Sequence, residues 1–355
     1  MAAKGRRFSP KLHDSSRMDN YITPATALGR LLRRALCAVA LCLPCSLWAQ
    51  QATYYASATG EKGAALKTAL AHIVSDHTVR SYANLWVDFR ETDCRPDGKV
   101  WDMYSCITNY TFGDDQAGNF KAEGDKYNRE HSFPKSWWGG SSGIPAYTDL
   151  FHLYPTDGYV NGMRGNLPFG EVKSATKQSA KGFSKVGPSA IAGYGGTVFE
   201  PADEYKGDFA RTYFYMATAY ESSFAEWAES EGGIMLAGNA WPGFKAWALD
   251  MLLQWAEDDP VSDKERDRNE AVYGIQHNRN PYIDYPGLEQ YVWGECQNVP
   301  FDAAEYKDPA TIVGIDVPVV GPSGADAPVY DLQGRRIRRQ HHAGIRIENG
   351  KKVTD

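Results

Sequence analysis

Two short segments concentrate the side chains that could do chemistry. The first runs Tyr127-Asn128-Arg129-Glu130-His131-Ser132-Phe133-Pro134-Lys135. The second runs Asp149-Leu150-Phe151-His152-Leu153-Tyr154-Pro155-Thr156-Asp157 and continues to Val160-Asn161-Gly162-Met163-Arg164-Gly165-Asn166-Leu167-Pro168. An imidazole such as that of His131 can take a proton from water near neutral pH. The Glu130 carboxylate and the Asn161 amide oxygen are hard donors, suited to Mg²⁺, Mn²⁺ or Ca²⁺; such ions keep several waters and grip phosphate oxygens. Arg164 could hold a phosphate through two parallel hydrogen bonds, with Arg129 and Asn166 as further phosphate-binding candidates. Base, cation and anion clamp are the parts of phosphodiester hydrolysis. Nothing here has the look of a zinc site: beyond residues 1–49 the chain has no His-Glu-x-x-His run and no cysteine pair at zinc-ligand spacing.

Each residue also has a plainer reading. A Glu-His pair arises by chance in many chains. His152 sits among apolar neighbours and reads as a core histidine. Asn161 and Asn166 lie beside glycines, where turns and caps are common. Only the combination points to a site.

The elements that must position these residues follow from local pattern. Glu61 to Ser75 reads as a helix with Leu66, Ala69, Leu70 and Ile73 on one face. Leu85–Phe89 and Lys99–Ser105 read as strands around a turn-rich loop. Residues 113–128 read as a loop. Two apolar stripes, one from Phe209 to Tyr220 and one from Phe244 to Trp255, predict buried helices. Ser262-Asp263-Lys264-Glu265 fits a capping box opening a helix towards Gln276. The whole suggests an α+β domain over about residues 50–300. A Gly- and Pro-containing linker over 301–324 and a small β module over 325–355, with an Asn349-Gly350 hairpin signal, would follow.

Residues 1–49 read as a signal peptide: Arg30, Arg33 and Arg34 precede an apolar run from Ala35 to Leu43, which Pro44 breaks. That run is shorter than the ~20 residues a spanning helix needs. The chain has 38 Lys and Arg against 44 Asp and Glu; eight and two of these fall in residues 1–49, which leaves the remainder at a net charge of −12. Such acidity is unfavourable for a polyanion partner, but residues 121–190 hold nine basic side chains against six acidic ones. A local patch of that kind can bind phosphates. Export permits disulfides. Cys94 and Cys106 flank the Arg95-Pro96-Asp97-Gly98 turn, so a bridge between them is one expectation and three free thiols with Cys296 the other.

The two segments resemble the signature of the endonuclease I family of secreted bacterial nucleases: Glu-His-x-x-Pro, then Asp-Leu-x-x-Leu-x-Pro, then Val-Asn-x-x-Arg-x-Asn. The similarity extends over roughly residues 53–295. The resemblance implies a ββα-metal core flanked by helices, with His131 as general base and Glu130 and Asn161 as ligands of one Mg²⁺. It implies sequence-nonspecific cleavage of DNA and RNA that leaves 5′-phosphates, with Arg164 and Asn166 in support. The C-terminal module is similar to sorting tails of secreted proteins from Gram-negative bacteria of the Bacteroidetes type, which implies a contact with secretion machinery. The expected protein is a monomer, without a membrane span, that is secreted, periplasmic or held at the cell surface. The rival readings are a metal-dependent hydrolase of other phosphate esters and a non-catalytic surface protein that binds nucleic acid or carbohydrate.

Overall fold

The computed structural model describes residues 51–312 and the backbone of four strands beyond them, at 329–330, 336–337, 345–348 and 351–354. The expected signal peptide lies outside the described residues, as does the second half of the expected linker, 313–324.

The core is organised around one helix buried on nearly every side. Helix α1 spans Gly63–Val74, α2 Leu85–Thr92, α3 Gly158–Arg164, α4 Lys206–Ala219, α5 Ala246–Asp258 and α6 Asp263–Gln276. Every residue of α4 from Gly207 to Ala219 is buried. It packs against α1 and α5, whose inward faces carry Leu66, Leu70 and Val74, and Trp247, Met251, Leu252 and Trp255. A helix enclosed on all sides must satisfy its polar groups internally. Arg211 of α4 does so through a two-pronged ion pair with Glu265 of α6, at 2.6 and 2.8 Å. Glu265 also closes the capping box with Ser262, as the sequence pattern predicted.

The hairpin that matters for the site is small. Strand β1, Tyr127–His131, pairs antiparallel with β2, Leu153–Asp157, in the register Tyr127↔Asp157 to His131↔Leu153. Helix α3 follows β2 without a break. Asp157 caps it by accepting from the Val160 amide at 2.8 Å, and the Phe120 ring lies where a Cβ on Gly158 would stand, 2.6 Å away. A larger residue at that first helical position would displace the loop covering it. A second antiparallel sheet, ordered β3-β4-β5 over Lys177–Gln178, Lys185–Pro188 and Thr197–Glu200, lies outside the hairpin. The tail strands β6 Val329–Tyr330, β7 Arg336–Ile337, β8 Ile345–Glu348 and β9 Lys351–Thr354 form a four-stranded antiparallel sheet ordered β7-β6-β8-β9.

Three local expectations are corrected. Leu85–Phe89 opens a helix, not a strand: Leu85, Asp88, Phe89 and Thr92 are the buried residues, spaced i, i+3, i+4, i+7. The aromatic and branched residues of the segment masked that period. Lys99–Ser105 forms only a single bridge, Cys94↔Val100, before Asp102 draws the backbone into a turn by accepting from the Tyr104 amide at 2.8 Å. Residues 301–312 are not free linker: Phe301 and Ala303 are buried, and the Tyr306 hydroxyl donates to the Pro286 carbonyl at 2.8 Å. Among the described residues no helix is long and apolar enough to cross a membrane.

Candidate active site

Alternation along β1 divides its side chains between two faces. Asn128 and Glu130 look one way, towards α3. There the Asn161 amide donates to Asn128 Oδ1 at 2.8 Å and stands beside the Glu130 carboxylate, helping to hold its charge. Arg129 and His131 look the other way, towards Tyr82 and Tyr147. The strand ends at His131.

Glu130 is 4% exposed. Its Oε1 accepts from the Tyr104 hydroxyl at 2.8 Å and from Arg164 Nη1 at 2.5 Å. Burial raises its pKa; the Arg164 charge and the bonds from Tyr104, Arg164 and Asn161 oppose that rise. The same Arg164 nitrogen reaches the His131 carbonyl at 3.0 Å, and Nη2 reaches the Ser132 carbonyl at 2.7 Å.

Arg164 is therefore not the phosphate clamp its sequence position suggested. It is 1% exposed, its two Nη groups donate to Glu130 and to the His131 and Ser132 carbonyls, and its guanidinium lies over the Phe169 ring at 4.5 Å. It fixes where Glu130 and His131 stand relative to α3. Asn166 lies past the end of α3, exposed, with its amide 3.3 Å from Glu231. Arg129 keeps its charge free of any acidic partner among the described residues; its guanidinium is sandwiched between Tyr82 and Trp86 at 3.5 and 4.3 Å and donates to the Tyr82 carbonyl at 2.6 Å.

The His131 ring shows which of its nitrogens can act. Nε2 lies 3.0 Å from the Tyr147 carbonyl oxygen, which can only accept. A neutral imidazole must then carry its proton on Nε2, and Nδ1 keeps the lone pair. Burial, followed by the neighbouring His152, pushes the His131 pKa down to about 3. His131 is thus a neutral imidazole at physiological pH. His152, expected as a core histidine, is fully buried, and its Nε2 lies 2.6 Å from the Ala146 carbonyl.

Several contributors escaped the sequence reading. Tyr104 and Tyr147 act on Glu130 and His131 from far along the chain, with no spacing to announce them. Asn128 and Asp157 were findable: one is two residues before Glu130 on the same face of the strand, the other directly precedes a helix-opening glycine. The expected Cys94–Cys106 bridge is not formed. The three cysteines among the described residues are free thiols, Cys94 and Cys106 exposed and Cys296 buried. Cys94 turns to its own loop at the Arg95 carbonyl, while Cys106 points across to the Ala180 carbonyl at 3.6 Å.

Glu130 and Asn161 supply one carboxylate and one amide, while Asn128 Oδ1 accepts from the Asn161 amide. Among the described residues no three His, Cys, Asp or Glu side chains converge. Protein donors alone could not fill a coordination shell here, and water or phosphate oxygens must complete it. That donor set fits a hard cation of the Mg²⁺ kind.

With this geometry in place, the likenesses to known proteins take on meaning. Residues 62–287 match the Endonuclease I family. An extracellular ribonuclease of Bacillus amyloliquefaciens is 36% identical over 244 residues, covering 68% of this chain and 78% of that protein. An extracellular ribonuclease of Bacillus subtilis is 34% identical over 258 residues, covering 72% and 83%. Endonuclease-1 of Buchnera aphidicola is 26% identical over 136 residues, covering 38% and 44%. The matched stretch contains β1, β2 and α3 whole, together with the helices that brace them, and the chain therefore belongs to the endonuclease I family and is a nuclease.

Proposed function

We propose that this chain is a secreted, sequence-nonspecific endonuclease that hydrolyses phosphodiester bonds in RNA and DNA, with His131 as general base, and leaves 5′-phosphate ends. The observation that carries the reading is the Nε2 contact of His131 with the Tyr147 carbonyl at 3.0 Å, which leaves Nδ1 unprotonated. From there Nδ1 takes a proton from the water that attacks phosphorus, and the imidazole becomes charged only as the reaction proceeds.

Glu130 and Asn161 would hold one divalent cation, Mg²⁺ in preference to Mn²⁺ or Ca²⁺. When bound, such an ion neutralises charge on the scissile phosphate and on the departing 3′ oxygen. The chain's own part is orientation. Tyr104 and Arg164 fix Glu130, Asn128 steadies the Asn161 amide, and Arg164 ties both to the strand tip. The exposed lysines of the 121–190 region, among them Lys121, Lys135, Lys173, Lys177 and Lys181, suit contacts with phosphate rather than base edges. The names of the two Bacillus relatives support both RNA as a substrate and export. The four-stranded tail suits a part read by secretion machinery, and the rest of the chain suits a monomer.

Incubation of plasmid and of a labelled RNA with wild-type protein and with His131→Ala, each with and without a chelator, tests the reading. Wild type cuts both with Mg²⁺ and neither with chelator, and the variant loses about 10²- to 10⁴-fold in rate. Equal cutting by both proteins removes His131 as the base. A phosphomonoesterase leaves the plasmid whole, and a binding protein retards it uncut.

A further inference from the structure

Beside His131 the surface opens into a groove enclosing about 510 Å³, within the range of small-molecule sites at about 300–1,000 Å³. Two strips of chain line it, residues 79–82 and 142–148. Three features bear on what it takes.

The first is a run of aromatic rings continuous with the proposed base. Tyr82 and Tyr147 stack at 4.7 Å with 26° between planes, and both stack on the His131 ring, at 6.1 and 5.3 Å. Burial raises the Tyr82 hydroxyl pKa, so its ring is a neutral phenol at any working pH. The second is charge. Arg129 lies 3.5 Å over Tyr82, and Lys135 Nζ lies 5.7 Å from the Tyr147 centroid. Neither forms an ion pair with a described residue, whereas Arg80 in the groove wall is tied to Asp88 by two bonds of 2.8 and 2.9 Å. Two cations without a described acidic partner thus flank the rings, and no carboxylate is among the described residues that line the groove. The third is the rest of the lining: Val79, 54% exposed, and the hydroxyls of Ser81, Ser142 and Thr148. Flat apolar surface, a few hydroxyls and cations at the edge match a heteroaromatic ring carried on an anionic backbone.

We propose that this groove takes one unpaired nucleobase of the substrate strand, the one adjoining the phosphodiester that is cut. The inference rests on the reading of His131 as the base, since only then does the groove adjoin the scissile bond. It adds two things. The enzyme holds its substrate through one base as well as through phosphates, without reading which base it is. And it favours single strands, because a base in a duplex must first be unstacked and swung out before it can enter a side groove.

The test uses wild-type protein, Mg²⁺ and a single-stranded oligonucleotide in which all but one linkage resists hydrolysis. An abasic residue is walked through the positions around the cleavable bond. Loss of the base at one position adjoining the cut raises KM by about 5- to 100-fold, the range expected for one base–aromatic stack, and other positions change little. Tyr147→Leu and, independently, Ser142→Trp, which obstructs the groove from an exposed position, abolish the difference between that abasic strand and the intact one. The complementary strand, once annealed, lowers kcat/KM. A flat abasic profile on a strand that wild type cuts readily overturns the groove and leaves the nuclease reading standing. Failure to cut any strand overturns both.

Discussion

Arg164 Nη1 lies 2.5 Å from the Glu130 carboxylate, inside the protein, and the same atom reaches the backbone carbonyl of the neighbouring residue, His131. A buried charge of this kind is retained at a cost and is dangerous to unpair. Arg164→Met leaves the Glu130 carboxylate uncompensated and lowers unfolding free energy by about 3–5 kcal/mol. Arg164→Lys recovers part of that loss but not the bonds to both carbonyls. Urea denaturation of the three proteins checks the ranking; a Met variant as stable as wild type would show that the ion pair carries no weight.

The two neighbouring buried histidines, His131 and His152, set an acid limit on stability. Burial holds His131 at about 3 and His152 at about 4, below the usual value near 6.5. Below pH 6.5 the unfolded chain therefore binds more protons than the folded one, so stability falls as pH drops from about 6.5 towards 4. Asp149 works in a lower window: its pKa is depressed, and its contribution is lost only as pH falls through that depressed value. His152→Gln, whose amide can still donate to Ala146, flattens the decline between pH 6.5 and 4. The urea midpoint measured across that range reads it out; an unchanged slope refutes the assignment.

Asp157 is expected to matter for more than its cap. One oxygen accepts from Val160 at the start of α3, and the other accepts from the Tyr110 hydroxyl at 2.6 Å and the Gly124 amide at 2.7 Å. Asp157→Ala removes all three bonds, so its cost exceeds the ~1 kcal/mol of a lost cap alone. Because α3 carries Asn161, the concentration of Mg²⁺ needed for half-maximal cleavage rises as well. Asp157→Asn keeps the cap acceptor and restores part of both. A variant that is less stable yet unaltered in its cation requirement would confine Asp157 to a structural role.

The thiol state can be counted directly. In the native protein a thiol reagent modifies Cys94 and Cys106 rapidly and Cys296 only after unfolding. Peptide mapping after a brief reaction identifies the sites. Absence of label at both exposed positions would point to a bridge between them.

What was legible in the sequence was whatever is local. The capping box at Ser262, the stripes of α4 and α5, and the close grouping of Glu130, His131 and Asn161 over one hairpin and its helix all depend on neighbours within a few turns. The role of Arg164 was not legible, because an arginine that clamps phosphate and one that braces a carboxylate look alike until burial is known. Tyr147 was invisible for a different reason: its backbone carbonyl, not its side chain, orients His131. That β1 would stop at His131 depended on tertiary structure.

Arg268 and Gln276 of α6 reach back to the start of β2. Arg268 Nη2 donates to the Leu150 and Leu153 carbonyls and pairs with Asp93, and Gln276 accepts from the Leu150 amide. These braces come 115 to 126 residues after the backbone they hold. A ribosome making this protein thus exposes the candidate catalytic residues long before it exposes their supports. Bracing of this hairpin therefore waits until α6 has been made, close to the end of the domain.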